Sequence, residues 1–414
     1  MAETLAEAVA HERVEFDELH RRYNPVLQLV NVLLGVVPYC DRYLEIWQPG
    51  FRTYNLMVPN FLNLPGNLLG AGAPKDLVGL GLYASSRAAE CAYCSAHTCT
   101  FALRRGSSAD AVTGAGRNAE EAAVVAVAEA LSTDPHHYTP ELGEQLAAVL
   151  SDGDAEWIVM GVAMMGFLNK FMDAVGVELE PEAVTDVTAL IGPTGWSVGQ
   201  HAWAGTDGYP EPGDAPPPLP PKDSLKTMLT VVRNGPGAVR LDRAWTRGLP
   251  NDAPGQQQVL LERYGHADQV LGHMRHQKPR RGLAAMLRHN LDPDQSELGL
   301  GTKALTGLVF AGHVENPYLV DRAVELAVHH GVAEEVIEAA RGFFPGSTAA
   351  EVLDERTAAA LSVARLISPS PAVMDRETVA LASEHLSPAE IVELAVWVSV
   401  NQLLHRLSIF YGLI

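Results

Sequence analysis

Three of the chain's four cysteines fall in one short run, Glu90-Cys91-Ala92-Tyr93-Cys94-Ser95-Ala96-His97-Thr98-Cys99. The core of it reads Cys-x-x-Cys-x-x-His, two thiols and a base at a spacing of three. A free thiol has a pKa near ~8.5, so only about 3% is thiolate at neutral pH. A neighbouring imidazole can take the proton, and a second thiol can trap an oxidised sulfur as a disulfide. From Leu82 to Gly106 the chain has no proline and no glycine, so the run reads as one helix stopped by Gly106. Residues three apart share a helix face. Cys91 then faces Cys94, and Cys94 faces His97. The candidate chemistry is that of a redox dithiol.

Two other readings compete. Cys91, Cys94, His97 and Cys99 could bind zinc, but structural zinc sites use two separated ligand pairs, and no second Cys-x-x-Cys occurs. Small thiols also fill helical cores, which suits Cys99 and Cys40 taken singly. Clustering in step with a histidine favours chemistry for Cys91 and Cys94.

The run Ala89 to His97, followed by more helix and a glycine, resembles the AhpD-like alkylhydroperoxidase and carboxymuconolactone decarboxylase superfamily. So does Leu150-Ser151-Asp152 leading through Ala155-Glu156-Trp157 to Gly166-Phe167-Leu168-Asn169, which is similar to that family's closing helix. The resemblance covers roughly residues 60–180. It implies an all-helical core, Cys94 as peroxidatic thiol, Cys91 as resolving thiol and His97 as proton-relay base. The family usually places the histidine four residues after the second cysteine, where this chain has three. A glutamate that the family carries upstream falls here at Gly79, leaving Asp76, Glu90 or Tyr93 as candidates to complete the relay.

Composition narrows the setting. The chain has 414 residues, 47% apolar and 19% charged, with 30 basic against 50 acidic side chains. That length supports two or more domains. A net charge of −20 repels phosphate, so neither nucleic acid nor an anionic membrane is expected as partner. The start, Met1 to Glu7, lacks the pattern of a signal peptide, and Val26 to Val37 is too short to span a bilayer and reads as a buried helix. Few, clustered cysteines fit a cytoplasmic enzyme rather than a disulfide scaffold.

Apolar residues recur at helical spacing in Glu120–Leu131, Leu142–Leu150, Trp157–Val175, Leu319–His330, Glu351–Leu366 and Glu390–Phe410, and strand-like alternation is scarce. The expected fold is all-α. A proline-rich stretch from Gly208 to Pro221 reads as a tether between halves. The expected domains are 1–205, with the Cys-x-x-Cys motif, a linker 206–222, and 223–414. Without gaps, Glu90, Tyr93, Ala102 and Gly106 match Glu315, Tyr318, Ala327 and Gly331, and Leu80 matches Leu305 upstream. In the second copy Asn316, Leu319 and Arg322 stand for Cys91, Cys94 and His97. It has no thiol chemistry, and the two AhpD-like domains are expected to form a fused pseudo-dimer, which could assemble further as a homo-oligomer.

His266, His273 and His276 fit one face of a helix over Val259–His276, more simply a polar face than a metal site. His136-His137 and His329-His330 suit helix ends. Trp157, Trp203, Trp245 and Trp397 read as core. The leading functional expectation is a thiol-dependent peroxidase or disulfide oxidoreductase. It needs no metal or other cofactor, and an external dithiol restores it. The alternative is a non-redox enzyme of the decarboxylase type, with His97 as general acid–base on a small organic acid or lactone.

Overall fold

The computed structural model describes residues 2–202, 220–266, 268–343 and 352–414, and among these every regular element is helical. Its longest helices, Asp152–Val175 and Pro388–Phe410, are apolar around most of their circumference and pack along each other at the centre. Serines start both. Ser151 Oγ accepts the amide of Asp154, and Ser387 forms a capping box with Glu390. Asp152–Val175, rather than the Val26 region, is long and apolar enough to cross a membrane, yet 94% of its most apolar window is buried in the bundle. It is the axis of the core. The Val26 stretch lies mainly in the helix Phe16–Leu34, which Gly35 ends at φ +97°.

One helical expectation fails at the motif. Instead of a single helix through Gly106, the chain forms Lys75–Ala88, a sharp break, and Ala92–Arg105. The break turns on Glu90, which takes a left-handed φ of +56°, and on Cys91, which becomes the cap of the second helix. No glycine or proline signals it because the thiol itself supplies the cap. Gly106, at φ +115°, does end the helix as expected. The two helices pack as an antiparallel pair so close that a Cβ on Gly79 would lie 2.7 Å from Ala102 Cα. The position where the resemblance calls for glutamate is therefore a helix crossing with no room for a side chain.

The same local geometry recurs in the second half. Leu300–His313 and Pro317–His329 form a packed pair, and Glu315 between them has φ +50°. Asn316 Oδ1 accepts the Leu319 amide at 3.1 Å, as Cys91 Sγ accepts that of Cys94 at 3.3 Å. Gln48–Phe61 packs on Gln277–Asn290, where Asn290 Nδ2 donates to Thr53 Oγ1 at 2.8 Å. Near the start of Pro388–Phe410, buried Glu393 accepts from Lys303 Nζ at 2.6 Å, and the ammonium lies 4.6 Å from the Trp47 ring centroid. The expected tether falls outside the described residues up to position 219, as does Trp203.

Two glycine substitutions should move stability in opposite directions. Alanine gains about 1 kcal/mol of helix propensity at an unobstructed interior site. Nothing lies within 4 Å of a Cβ on Gly312, so Gly312→Ala should raise stability by up to that amount. At Gly79 the crossing with Ala102 opposes the gain, and overpacking of this kind costs about 1–3 kcal/mol. Gly79→Ala should thus be destabilising by about 1 kcal/mol. Thermal and urea unfolding of both variants read the signs, and a stabilised Gly79→Ala would contradict the close crossing.

Candidate functional site

Cys91 and Cys94 meet at the N-terminus of Ala92–Arg105. Cys91 Sγ lies 3.3 Å from the Cys94 amide and their side chains hydrogen-bond. Both are free thiols and both are buried. A sulfur here sees unpaired helix amides and the positive end of the helix dipole, which favour a thiolate. Burial works against that charge. It pushes the Cys91 thiol well above its ordinary range and raises Cys94 too, while the hydrogen bond from Cys91 and the cation of Arg406 pull Cys94 back down.

His97 is held by a carboxylate that the sequence did not single out. Its Nε2 lies 2.8 Å from Glu180 Oε2, and the other oxygen of Glu180 accepts from Tyr93 Oη at 2.8 Å and the Tyr39 amide at 2.5 Å. An ionised carboxylate only accepts hydrogen bonds. His97 Nε2 then carries the proton, leaving Nδ1 as the basic nitrogen. Glu180 is buried as the residue before Pro181, where the helix Pro181–Ile191 begins.

A second histidine–carboxylate pair serves the other thiol. His201 Nε2 lies 2.9 Å from Asp173 Oδ1, and its Nδ1 lies 2.7 Å from the Val177 carbonyl. Both partners are acceptors, so both ring nitrogens donate and the ring is an imidazolium. Burial opposes that charge, but hydrogen bonds with Asp173 and Cys91 outweigh it and lift the pKa to about 10. Ligand atoms of Cys91, Asp173 and His201 lie within 4.8 Å of one another. Among the described residues this trio, not Cys91, Cys94, His97 and Cys99, brings metal-ligand atoms together. Tyr93 sits between the two histidines, its ring centroid 4.7 Å from His97 and 5.7 Å from His201.

Of the three candidate relay residues, only Tyr93 is in place. Glu90 is exposed on an outer cleft. Asp76 starts the antiparallel helix and lies by Gly106, at the far end of a 14-residue helix, about 20 Å from Cys91. Cys99 is buried away from the dithiol, its pKa pushed up to about 12 by burial. Cys40 is buried, as expected of a core thiol, and with Cys94 and His97 it lines an apolar cavity of about 70 Å³ walled by Leu33, Phe101, Met164 and Met172. On the Cys91 side, a more polar cleft of about 640 Å³ reaches His201, bordered by Arg87, Glu90 and Trp196.

The second half also enters the site. Arg406, fully buried on Pro388–Phe410, donates to Ser85 Oγ and the Val162 carbonyl, each at 2.7 Å. Burial lowers its pKa to about 9, and Cys94 is the anion-forming group that counters this. Gly166 makes the space, since a Cβ there would lie 3.0 Å from Arg406 Cδ and Nε. Arg322, which the gapless alignment sets against His97, pairs instead with Glu325.

The other histidines do not converge. Gly265 ends the helix Ala253–Tyr264 at φ +67°, so no single helix carries all three. His266 faces Asp268, His273 approaches Tyr411, and His276 stacks on Trp157 with centroids 4.3 Å apart.

No family model matches the chain, and no curated protein matches it. Among solved structures it is similar to the debrominase Bmp8 in its apo form, at 24% identity and a TM-score of 0.37. The match covers 41% of this chain and 92% of that one.

The His201–Asp173 pair should appear in the pH dependence of stability. His201 has a folded pKa of about 10, above its unfolded value near ~6.5. Its contribution is therefore fully present below pH ~6.5 and is lost as pH rises towards 10. Asp173→Asn should destabilise by about 3 kcal/mol at pH 6, the scale for breaking a buried ion pair, and by progressively less towards pH 10. Urea unfolding of both proteins across this range isolates the pair, because other groups titrating there cancel in the difference. A pH-independent difference would mean that His201 is neutral.

Proposed function

We propose that the chain is an AhpD-like thiol peroxidase, with Cys94 as peroxidatic and Cys91 as resolving cysteine. The observation that carries this reading is the placement of two buried cysteines at one helix N-terminus, Cys91 Sγ accepting the Cys94 amide, with Cys94 on the wall of an apolar cavity. Cys94 thiolate attacks one oxygen of a hydroperoxide and the O–O bond breaks. The alkoxide leaves as the alcohol with a proton from the His97–Glu180 pair, and Cys94 becomes a sulfenic acid. Cys91 sulfur then attacks Cys94 sulfur, and water leaves as the disulfide forms. An external dithiol, reaching the pair through the His201 cleft, returns both thiols by exchange and is itself oxidised to a disulfide. His201, charged beside Cys91, favours that sulfur as thiolate in each exchange.

The carboxylate-held His97 on an apolar cavity also suits acid–base work on an organic acid or lactone, the decarboxylase-type reading. Proton transfer alone has no use for a thiol pair whose second member carries its own histidine and carboxylate. On the same proposal the chain is a fused pseudo-dimer. The recurrence of Glu90 and Cys91 at Glu315 and Asn316, and the packing of the two long helices, support that arrangement.

Mass spectrometry and thiol titration before and after one equivalent of tert-butyl hydroperoxide test the chemistry. The expected result is loss of two hydrogens confined to the Cys91–Cys94 peptide. Cys94→Ser should abolish turnover, whereas Cys91→Ser should accumulate sulfenic acid. Loss of all peroxide reaction in Cys91→Ser, with Cys94→Ser still reactive, would exchange the two roles. Stoichiometric zinc in the purified protein would sink the redox reading.

Arg406→Met should shift the pH profile of Cys94 alkylation upward and slow its oxidation at least tenfold, with partial recovery in Arg406→Lys. Arg322→Ala should leave turnover within about threefold, below ~1 kcal/mol in barrier. Equal, small effects from both would remove the second half from the chemistry.

A further inference from the structure

The apolar cavity beside Cys94 is small, but it adjoins a larger chamber. Val30, Leu33 and Val58 line both the 70 Å³ cavity and a second space of about 280 Å³. The outer chamber lies between the helices Phe16–Leu34, Gln48–Phe61 and Leu225–Trp245, with Val26, Leu29, Leu68 and Trp245 among its walls. Its surface is largely hydrocarbon, as expected of a chamber that takes an apolar body. One end differs. Lys278, Arg281, Arg243 and Asp242 all line it. Asp242 is already engaged by Arg281 at 2.9 Å and by Asn60 at 2.8 Å. Lys278 spends one donor on the Leu64 carbonyl and has two more.

Two buried polar atoms at this end have no partner among the described residues, Arg281 Nε and Asn60 Oδ1. Asn60 is only 1% exposed. An unsatisfied polar atom at that depth is costly unless a ligand or water meets it. Arg281 Nε, a donor left open beside a lysine, matches the head of a carboxylate, which only accepts, and Asn60 Oδ1 is left for a water. The net charge of −20 makes a cationic end to an apolar chamber the more selective, since the rest of the surface repels anions. That repulsion is screened beyond about 8 Å at physiological salt, whereas contacts inside the chamber are screened much less.

We propose that the outer chamber binds a medium-chain monocarboxylate, its head on Lys278 and Arg281 and its chain directed past Val30, Leu33 and Val58 towards Cys94. The substrate class is then a carboxylic acid bearing a hydroperoxide well along its chain. Only that hydroperoxide rests on the peroxidase reading; the binding site does not.

Calorimetric titration of the full-length protein with decanoate, and with decan-1-ol as neutral probe, tests the site. Decanoate should bind at least tenfold more tightly than decanol. Lys278→Met should remove that preference while leaving decanol binding within about threefold, and Leu29→Trp, which fills the chamber, should weaken both. Circular dichroism and thermal melting check that each variant is folded, and Lys278→Arg should restore most of the preference if the charge is what matters. Equal affinity for the two probes, no decanoate binding, or no effect of Lys278→Met in a folded protein would overturn the proposal. The same titrations, paired with hydroperoxide assays on the protein with Cys94 intact, separate the two readings. Decanoate binding without reduction of any hydroperoxide removes the peroxidase and keeps the site, and peroxide turnover without decanoate binding does the reverse.

Discussion

Desolvation of the two thiols governs the rest of the site. Cys91 and Cys94 are both buried, so either sulfur can ionise only if something buried offsets the lost hydration. The fold brings three offsets to the place: helix amides at the N-terminus of Ala92–Arg105, the imidazolium of His201, and the guanidinium of Arg406. Each of those charges is costly to bury in its turn. His201 is made affordable by Asp173. Arg406 has neutral hydrogen-bond partners, so a thiolate at Cys94 is the anion that would complete it. The result is a charge network in which the cations are in place before the anion forms; on the proposed peroxidase reading, that arrangement lowers a barrier without reorganisation at the moment of reaction.

Much of the scaffold was legible in sequence because it rests on periodicity. Windows such as Trp157–Val175 and Glu390–Phe410 became the helices Asp152–Val175 and Pro388–Phe410, with ends moved by a few residues to their serine caps. The break before Cys91 was not legible. Its capping group is a thiol, which ordinary capping preferences do not include, and its left-handed residue is a glutamate. That one break carries the sulfur of Cys91 off the helix face and onto the helix end, where the amides are.

The site itself was legible only in part. Cys91, Cys94, His97 and Tyr93 are local to one motif, so their meeting follows from short-range geometry. Glu180, Asp173, His201 and Arg406 arrive from elements 80 to more than 300 positions away, and no spacing rule connects them to the motif. A signal did exist for two of them. Asp173 and Arg406 are ionisable residues on helices that are apolar around most of their circumference, and such groups are almost never buried unless paired. Reading every lone charge in a core helix as a demand for a partner would have pointed to both. His201 lies in a short turn after Gly199 and carries no such mark.

Arg406 also bears on why a second half without thiols would remain attached. Its side chain fills a groove whose floor is Gly166 and whose rim is Ser85 and Val162, all in the first half. A larger residue at Gly166 would meet the guanidinium stem and the Gln402 carbonyl at once. The two sequences are thus complementary at a single buried contact, a glycine on one side and an arginine on the other. Separating the halves would leave a water-filled slot beside Cys94 and an arginine with no site. Lys170 makes the reverse crossing, fully buried and donating to the Ser368 carbonyl at 2.6 Å and to Ser370 Oγ at 3.0 Å. Each half therefore inserts a buried cation into the other. On the proposed pseudo-dimer and peroxidase readings, loss of the second dithiol removed one reaction centre but not the obligation to supply this charge, and the helix Pro388–Phe410 would be held to its sequence by the reaction proposed for the other half.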